Sequence, residues 1–122
     1  MAVRALRGAT TVDIDERDHV RDRVVEMLEL LLERNSVEPD DMISAMFTAT
    51  ADLNSVFPAT AARELLPADL PLLCAQELNT VNGLGNCIRV MLHVESDRTR
   101  AEIRHVFVHG ATVLRPDLAE PT

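Results

Sequence analysis

One amphipathic helix limits the folds that this 122-residue chain can adopt. From about Asp15 to Arg34 the apolar residues recur at intervals of three and four, so they form one stripe on an otherwise charged helix. Asp13 or Asp15 can cap its start, and Asn35 can close its end. The stripe residues are Val20, Val24, Met27, Leu28 and Leu31. A helix with a single apolar face must lie on another layer, and the remaining segments predict that this layer is a β-sheet.

The segments around this helix predict five strands and a second, shorter helix. Apolar and β-branched runs typical of strands occupy 2–12, 42–48, 72–78, 87–95 and 104–113. Pro58 can open a short helix that carries Arg63 and Glu64, and a polar turn or helix is expected at 97–102. The predicted fold class is α/β (α+β), a mixed five-stranded sheet with helices on one face.

Length and composition indicate one domain over residues 1–122, with a flexible tail from about residue 116. The apolar content of 47% is that of an ordinary core. No run approaches the roughly 20 apolar residues of a membrane-spanning helix, and Arg4 and Arg7 interrupt the apolar N-terminal stretch. Cys74 and Cys87 lack the number and spacing of a disulfide framework or a zinc site. We therefore expect free thiols in the cytoplasm and no membrane association.

The net charge argues against nucleic acid as a partner. The formal charge is −8, whereas binding to a phosphate backbone is driven by clustered cations. The chain has no Trp or Tyr on which bases could stack. All twelve basic residues are arginines. A preference for arginine over lysine along the whole chain is expected from the base composition of a genome. Only the position of an arginine can therefore indicate its function.

Two arginines lie within predicted strands. Arg7 and Arg89 have small or apolar neighbours on both sides, as in a sheet that is covered on both faces. Burying a guanidinium there is costly unless an anion meets it. Each arginine could instead point from an exposed face, or pair with Glu77 on a neighbouring strand. The two arginines together with the glutamate favour a site for a small carboxylate, which arginine binds in bidentate fashion.

Other residues that can carry chemistry show no distinctive arrangement. His93, His105 and His109 are predicted on strands, with His105 and His109 on one face, but their spacing is not that of a metal site. Gly83-x-Gly85 lacks the third glycine and the βαβ context of a dinucleotide fingerprint, so it is read as a turn. We expect no metal and no cofactor. From the residues alone, the chain is a sheet domain with an arginine-lined anion site.

Six segments, in order and with compatible spacing, resemble the monofunctional chorismate mutases of the Bacillus type. They are RGATTV (7–12), TATADLNSVFPATAARE (48–64), CAQEL (74–78), GNCIRVMLHV (85–94), IRHVFV (103–108) and VLRPDL (113–118). The resemblance runs along nearly the whole chain. It implies an α/β subunit that assembles as a homotrimer, with an active site in each cleft between subunits. It also implies the isomerisation of chorismate to prephenate, in the biosynthesis of phenylalanine and tyrosine.

That reaction fits the survey of residues. A Claisen rearrangement is unimolecular and needs no nucleophile, metal or cofactor. The enzyme must hold a dicarboxylate in a reactive conformer and stabilise charge as the ether bond breaks. Arginines suit both tasks.

By resemblance, individual residues receive roles. Arg89 would stabilise the charge that develops on the ether oxygen, Arg7 would bind a substrate carboxylate, and Glu77 and Cys74 would hydrogen-bond the ring hydroxyl. Arg89, Glu77 and Arg7 form the catalytic set. The further residues that would line or close the cleft are Phe57, Ala59, Arg63, Leu73, Phe107, Leu114 and Arg115.

Two positions depart from the family pattern. Phe107 stands where the family typically has tyrosine, which removes one hydrogen bond to substrate. Thr60 replaces a lysine near the cleft mouth, which removes an attraction for an anionic substrate. Two alternatives therefore stay open. One is a non-catalytic trimer that binds a small carboxylate, and the other is an imine deaminase of the Rid type.

Overall fold

The computed structural model describes residues 1–81 and 83–117. Its strands are β1 (Ala2–Thr11), β2 (Met42–Ala49), β3 (Leu72–Gln76), β4 (Cys87–Ser96) and β5 (Val106–Phe107), and its helices are α1 (Arg17–Arg34) and α2 (Pro58–Ala62). Short 3-10 turns occupy Pro39–Asp41, Arg100–Glu102 and His109–Val113. Residues 118–122, most of the tail expected to be flexible, lie outside the described residues.

The five strands form one mixed sheet in the order β3-β2-β4-β1-β5. The central strand β4 is antiparallel to both β1 and β2. The outer pairs, β2 with β3 and β1 with β5, are parallel. This arrangement confirms the predicted mixed five-stranded sheet with one long and one short helix. Within the described residues, no helix has the length and apolarity needed to cross a bilayer.

Helix α1 covers one face of this sheet with the predicted stripe. All five stripe residues are at most 1% exposed. They pack against sheet residues of one parity, including Leu6, Phe47 and Leu92, which are also fully buried. Gly8 permits the close approach, because a Cβ there would lie 3.0 Å from Cγ1 of Val90 and 3.2 Å from Cγ of Met27. The core therefore lies between α1 and the sheet.

The opposite side of the sheet, which we call the open face, carries the alternate residues of the same strands. Met46, Met91 and Leu73 lie there, with exposed fractions of 46%, 36% and 59%. Arg7 and Arg89 also lie there, because Arg7 pairs with Met91 and Arg89 is two residues before Met91 on β4. Both strand arginines therefore project away from α1.

The predicted last strand, 104–113, is wrong in extent. Only Val106 and Phe107 pair with β1. At His109 the backbone turns to a φ of 52°, which extended chain cannot adopt, and the 3-10 turn begins there. The N–H of Gly110 then donates to the Thr11 hydroxyl at 2.9 Å. His105 and His109 consequently do not share one strand face, as the alternation had suggested.

The start of α1 also differs from the prediction. The helix begins at Arg17, and its N-cap residue Glu16 makes no side-chain cap. Asp15 instead accepts hydrogen bonds from the backbone N–H groups of Asn54 and Ser55, so it fixes the loop before α2. The neighbouring Ser55 side chain, and then these backbone bonds, lower the pKa of Asp15.

The buried residue Asn35 ties the end of α1 to the segment that enters β5. It is the C-cap residue, as predicted. Its amide donates to the carbonyl of Leu31 at 2.8 Å and to that of Arg104 at 2.7 Å, and its Oδ1 accepts from the Arg104 N–H at 2.8 Å. Because Asn35 is only 4% exposed, these hydrogen bonds are shielded from water. They set the position of residues 104–107.

Replacing Asn35 by alanine should lower the free energy of unfolding by about 2–3 kcal/mol, because buried backbone groups lose their partners. Urea unfolding followed by far-UV circular dichroism, at one protomer concentration, measures this change. The exposed Asn79 offers a matched control, and Asn79→Ala should change the value by less than about 0.5 kcal/mol. Equal stabilities for the two variants would contradict the role given to Asn35.

Candidate active site

Strand register brings four polar side chains together on the open face. Arg89 on the central strand lies between Ala9 of β1 and Thr48 of β2. Arg7 lies two residues from Ala9 on the same face, and these residues line one hollow with Met46 and Met91. Glu77 follows β3, where its N–H donates to the Ala49 carbonyl. The sheet thereby assembles residues that are far apart in sequence.

Glu77 and Arg89 form an ion pair within this group. The Glu77 Oε1 lies 2.6 Å from the Arg89 Nε and accepts a hydrogen bond of 2.8 Å from the Thr48 hydroxyl. The Glu77 side chain is 11% exposed and that of Arg89 36%, so the pair is only partly shielded from water. The carboxylate is thus held by Thr48 beside the guanidinium.

The ion pair leaves the Arg89 Nε without a well-directed hydrogen bond. Although the two atoms are close, the N–H is not aimed at the carboxylate oxygen. Among the described residues, this buried Nε therefore makes no well-aligned hydrogen bond, although the Glu77 carboxylate lies beside it. Buried donors without an aligned acceptor are rare, so this one calls for an explanation. The guanidinium also has four N–H donors on its two terminal nitrogens, which can meet another acceptor.

Arg7 lies against an aromatic ring in the same region. Its Cζ is 5.4 Å from the centroid of Phe107, which is 1% exposed, a cation–π arrangement. Burial, and then the charges of Arg115 and Arg89, lower the pKa of the Arg7 guanidinium. An anion beside Arg7 would offset both the desolvation and the repulsion.

Leu114 and Arg115 approach this group from the chain beyond β5. Leu114 packs against a small cluster of Ala9, Phe107 and Ala111. The Arg115 guanidinium makes two hydrogen bonds to the Asp117 carboxylate, which raise the pKa of Arg115. The structure therefore places six of the predicted site residues in one neighbourhood, namely Arg7, Glu77, Arg89, Phe107, Leu114 and Arg115.

A second group of predicted residues lies elsewhere on the chain. Phe57, which is 71% exposed, and Cys74 line a hollow beside the start of α2. Cys74 pairs with the core residue Phe47, so it lies on the opposite face of the sheet from Glu77. Ala59 packs against the core at the same helix. Within one chain these residues do not join the arginines.

Arg63 and Leu73 belong to neither hollow. The Arg63 guanidinium donates to the backbone carbonyls of Pro67 and Ala68. Leu73 pairs with Met46 on the open face, outside the hollow that Arg7 and Arg89 line. Within one chain, Arg63 and Leu73 line neither hollow, so their contacts with substrate stay predictions.

The three histidines that the sequence predicted on strands are dispersed. His93 lies 3.5 Å from the Ser44 hydroxyl, His105 accepts a hydrogen bond from the backbone of Arg7, and His109 lies 2.7 Å from the Glu26 carboxylate. Over residues 1–81 and 83–117, no group of three or more His, Cys, Asp or Glu could hold a metal ion.

Sequence reasoning missed two residues that contact the site. Thr48 holds Glu77, and His105 contacts Arg7. Thr48 lies in the segment TATAD and His105 in the segment RHVFV, and both segments carry the family resemblance. Their parity with the arginines could be recognised only once the register of β2 and β5 was known.

Comparisons with known proteins identify the family to which this sequence and fold are similar. Residues 3–118 match the model of the family described as chorismate mutase type I. Chorismate mutase AroH of Bacillus subtilis is 42% identical over 120 residues, covering 98% of this chain and 94% of the relative. Chorismate mutase AroH of Thermus thermophilus is 38% identical over 117 residues, covering 95% and 96%. The structure of a chorismate mutase from Clostridium thermocellum superimposes with a TM-score of 0.87 at 41% identity, over 90% of this chain and 98% of that one.

The fold, the arginines of the open face and these relatives define an isomerase. The chain belongs to the type I chorismate mutases, the Bacillus type that its sequence resembles, and it converts chorismate to prephenate. The comparisons favour this activity over both alternatives left open by the sequence, the Rid-type deaminase and the non-catalytic carboxylate-binding trimer.

The buried Cys87 thiol at the edge of this site makes folding sensitive to alkaline pH. Burial, and then the charge of Glu77, raise the pKa of Cys87 to about 11 from an ordinary 9.0. A raised thiol pKa means that the folded state keeps the proton that the unfolded state loses. The stabilisation is complete below pH 9 and is lost as the pH rises towards 11.

We expect the free energy of unfolding to fall by about 2 kcal/mol between pH 9 and pH 11. The chain contains no lysine and no tyrosine, so neither of those side chains contributes in this interval. Urea unfolding under reducing conditions measures the change. Cys87→Ala should remove most of the pH dependence and Cys74→Ala should retain it. A full alkaline loss in Cys87→Ala would show that another group is responsible.

Proposed function

We propose that Arg89 provides most of the electrostatic catalysis in this chorismate mutase. In the rearrangement the enolpyruvyl C–O bond breaks while a C–C bond forms, so negative charge develops on the ether oxygen. A fixed guanidinium N–H beside that oxygen stabilises the transition state more than the ground state. The observation that supports this role is the position of the Arg89 guanidinium, which Glu77 and Thr48 hold in place at a hollow that Arg7 also lines.

The neighbouring side chains have supporting roles in this proposal. Glu77, held by Thr48, keeps the Arg89 guanidinium in place and accepts a hydrogen bond from the ring hydroxyl of the substrate. Arg7 binds a substrate carboxylate, and the Phe107 ring beneath it supports the guanidinium without the hydroxyl that tyrosine would bring. Arg115 exchanges its Asp117 partner for substrate as the chain after β5 closes the cleft. No nucleophile or cofactor takes part.

The complete cleft, in this proposal, forms between two chains of a homotrimer. The open face exposes Met46, Leu73 and Met91 around the arginines, and a closed ring of subunits would bury these side chains. One chain supplies Arg7, Glu77 and Arg89. Its neighbour supplies Phe57, Ala59, Arg63, Leu73 and Cys74, which lie outside the hollow that the arginines of their own chain line.

A cytoplasmic location remains part of the proposal. Both cysteines are free thiols, which suits a reducing compartment, and chorismate is a metabolite of biosynthesis.

Replacing Arg89 by its neutral isostere citrulline should lower kcat by more than the ~10²–10³-fold typical of one neutral oxyanion donor, with little change in KM. The loss falls on kcat because the charge is needed when the ether bond is partly broken. The decrease in chorismate absorbance measures both constants. Arg89→Lys should also be nearly inactive, since an ammonium on a flexible stem cannot reproduce the planar guanidinium.

The exposed Arg100 supplies the matched control for the semisynthetic protein, and Arg100→citrulline should retain the activity of the unmodified chain. If Arg89→citrulline raises KM and leaves kcat nearly unchanged, Arg89 contributes to binding and the proposed mechanism is wrong.

A further inference from the structure

The backbone of Arg7 is held by a histidine side chain. The N–H of Arg7 donates to the Nδ1 of His105 at 2.9 Å. Pairing between β1 and β5 covers only Gly8 with Val106 and Ala9 with Phe107. The imidazole therefore supplies an acceptor immediately before the paired residues of the parallel ladder, where the backbone N–H of Arg7 would otherwise need water.

The same short segment also holds the Arg7 side chain. Phe107, two residues after His105, presents its ring to the Arg7 guanidinium at 5.4 Å. The segment is itself fixed, because the N–H and the carbonyl of Arg104 both bond to the buried Asn35. His105 and Phe107 thus constrain the two ends of Arg7 from one rigid support.

The contact with His105 requires one protonation state. An imidazole nitrogen accepts a hydrogen bond only when it carries no proton. Protonated Nδ1 would direct an N–H at the N–H of Arg7, and the imidazolium would add a third positive charge to those of Arg7 and Arg115. Burial, and then these two charges, lower the pKa of His105 below its ordinary 6.5, so the accepting form prevails at neutral pH.

We propose that His105 is a positioning residue for Arg7, and that protonation of its imidazole weakens the binding of the dicarboxylate substrate. The inference rests on the proposed role of Arg7 as the partner of a substrate carboxylate. The groups whose charges reach His105 are Arg7 on β1 and Arg115 after β5. Both are cations that stay charged across the pH range, so the imidazole is the group that changes.

The pH dependence of KM and kcat separates this role from a merely structural one. Chorismate carboxylates stay ionised above pH 5, since ordinary carboxyl pKa values lie near 4. For the native chain, KM should rise about three- to tenfold as the pH falls from 8 to 5, the range expected for losing one neutral hydrogen bond. The value of kcat should change much less, because Arg89 does not contact His105.

Two substitutions test the hydrogen bond itself. In His105→Asn the amide oxygen can take the place of Nδ1 as an acceptor that does not titrate, so the rise in KM at acid pH should disappear. In His105→Ala the acceptor is absent, and KM should be raised at every pH. Thermal unfolding by circular dichroism accompanies both variants. For the native chain, the ¹⁵N chemical shifts of His105 report directly whether Nδ1 is unprotonated at neutral pH.

Several results would overturn the inference. These are a native KM that is constant or falls at acid pH, an acid rise that persists in His105→Asn, or a protonated Nδ1 in the native chain at pH 8. The variant Arg7→Gln distinguishes a failure of the positioning role of His105 from a failure of the proposed binding role of Arg7. If Arg7→Gln raises KM while the His105 tests fail, only the positioning role is wrong. If Arg7→Gln leaves KM unchanged, the role of Arg7 fails, and the His105 proposal fails with it.

Discussion

One long helix can cover only one face of a five-stranded sheet, and the properties of this enzyme depend on that constraint. Helix α1 buries its apolar stripe against one parity of strand residues. The other parity, with Arg7 and Arg89, is left without a helix. Because alternate residues on a strand face opposite ways, the same strands supply both the core and the arginines. The core thereby holds the two arginines that we propose as functional on rigid backbone.

The chemistry that this face supports is electrostatic. Arg89 is held beside Glu77, while Arg7 lies on the Phe107 ring under the repulsion of Arg89 and Arg115. In the proposed mechanism, a dicarboxylate meets an arrangement of charges that is already in place, so little reorganisation is needed when the ether bond breaks. This account also explains why Phe107 can replace tyrosine. The ring face supports Arg7, and the hydroxyl adds only one further hydrogen bond.

The sequence predicts what depends on local periodicity. The stripe of α1, the C-cap Asn35 and the presence of five strands all follow from spacing and residue type, and the structure confirms them. The extent of the last strand does not follow from the local pattern. Its β-branched run continues to His109, where a φ of 52° turns the chain. That conformation depends on contacts with β1, including the bond from Gly110 to Thr11, which no local pattern reveals.

The site was predictable by resemblance more than by pattern. Arg7 and Arg89 are recognisable as arginines among apolar strand residues, but their proximity to Glu77 depends on the register of three strands. The contacts of Thr48 with Glu77 and of His105 with Arg7 were not predictable for the same reason. Cys74 and Glu77 are three residues apart and lie on opposite faces of the sheet, which is why we propose that a second chain completes the site.

The central claim, that each active site is shared by two chains, is tested most directly by mixing two inactive variants. Arg63→Ala and Arg89→Ala should each be nearly inactive as homotrimers. Refolded together in equal amounts, they should form clefts with both arginines intact and recover about a quarter of native activity, the fraction expected for random assembly in a closed ring. If the mixture stays as inactive as its parents while sedimentation shows mixed trimers, each site belongs to a single chain and the account is wrong.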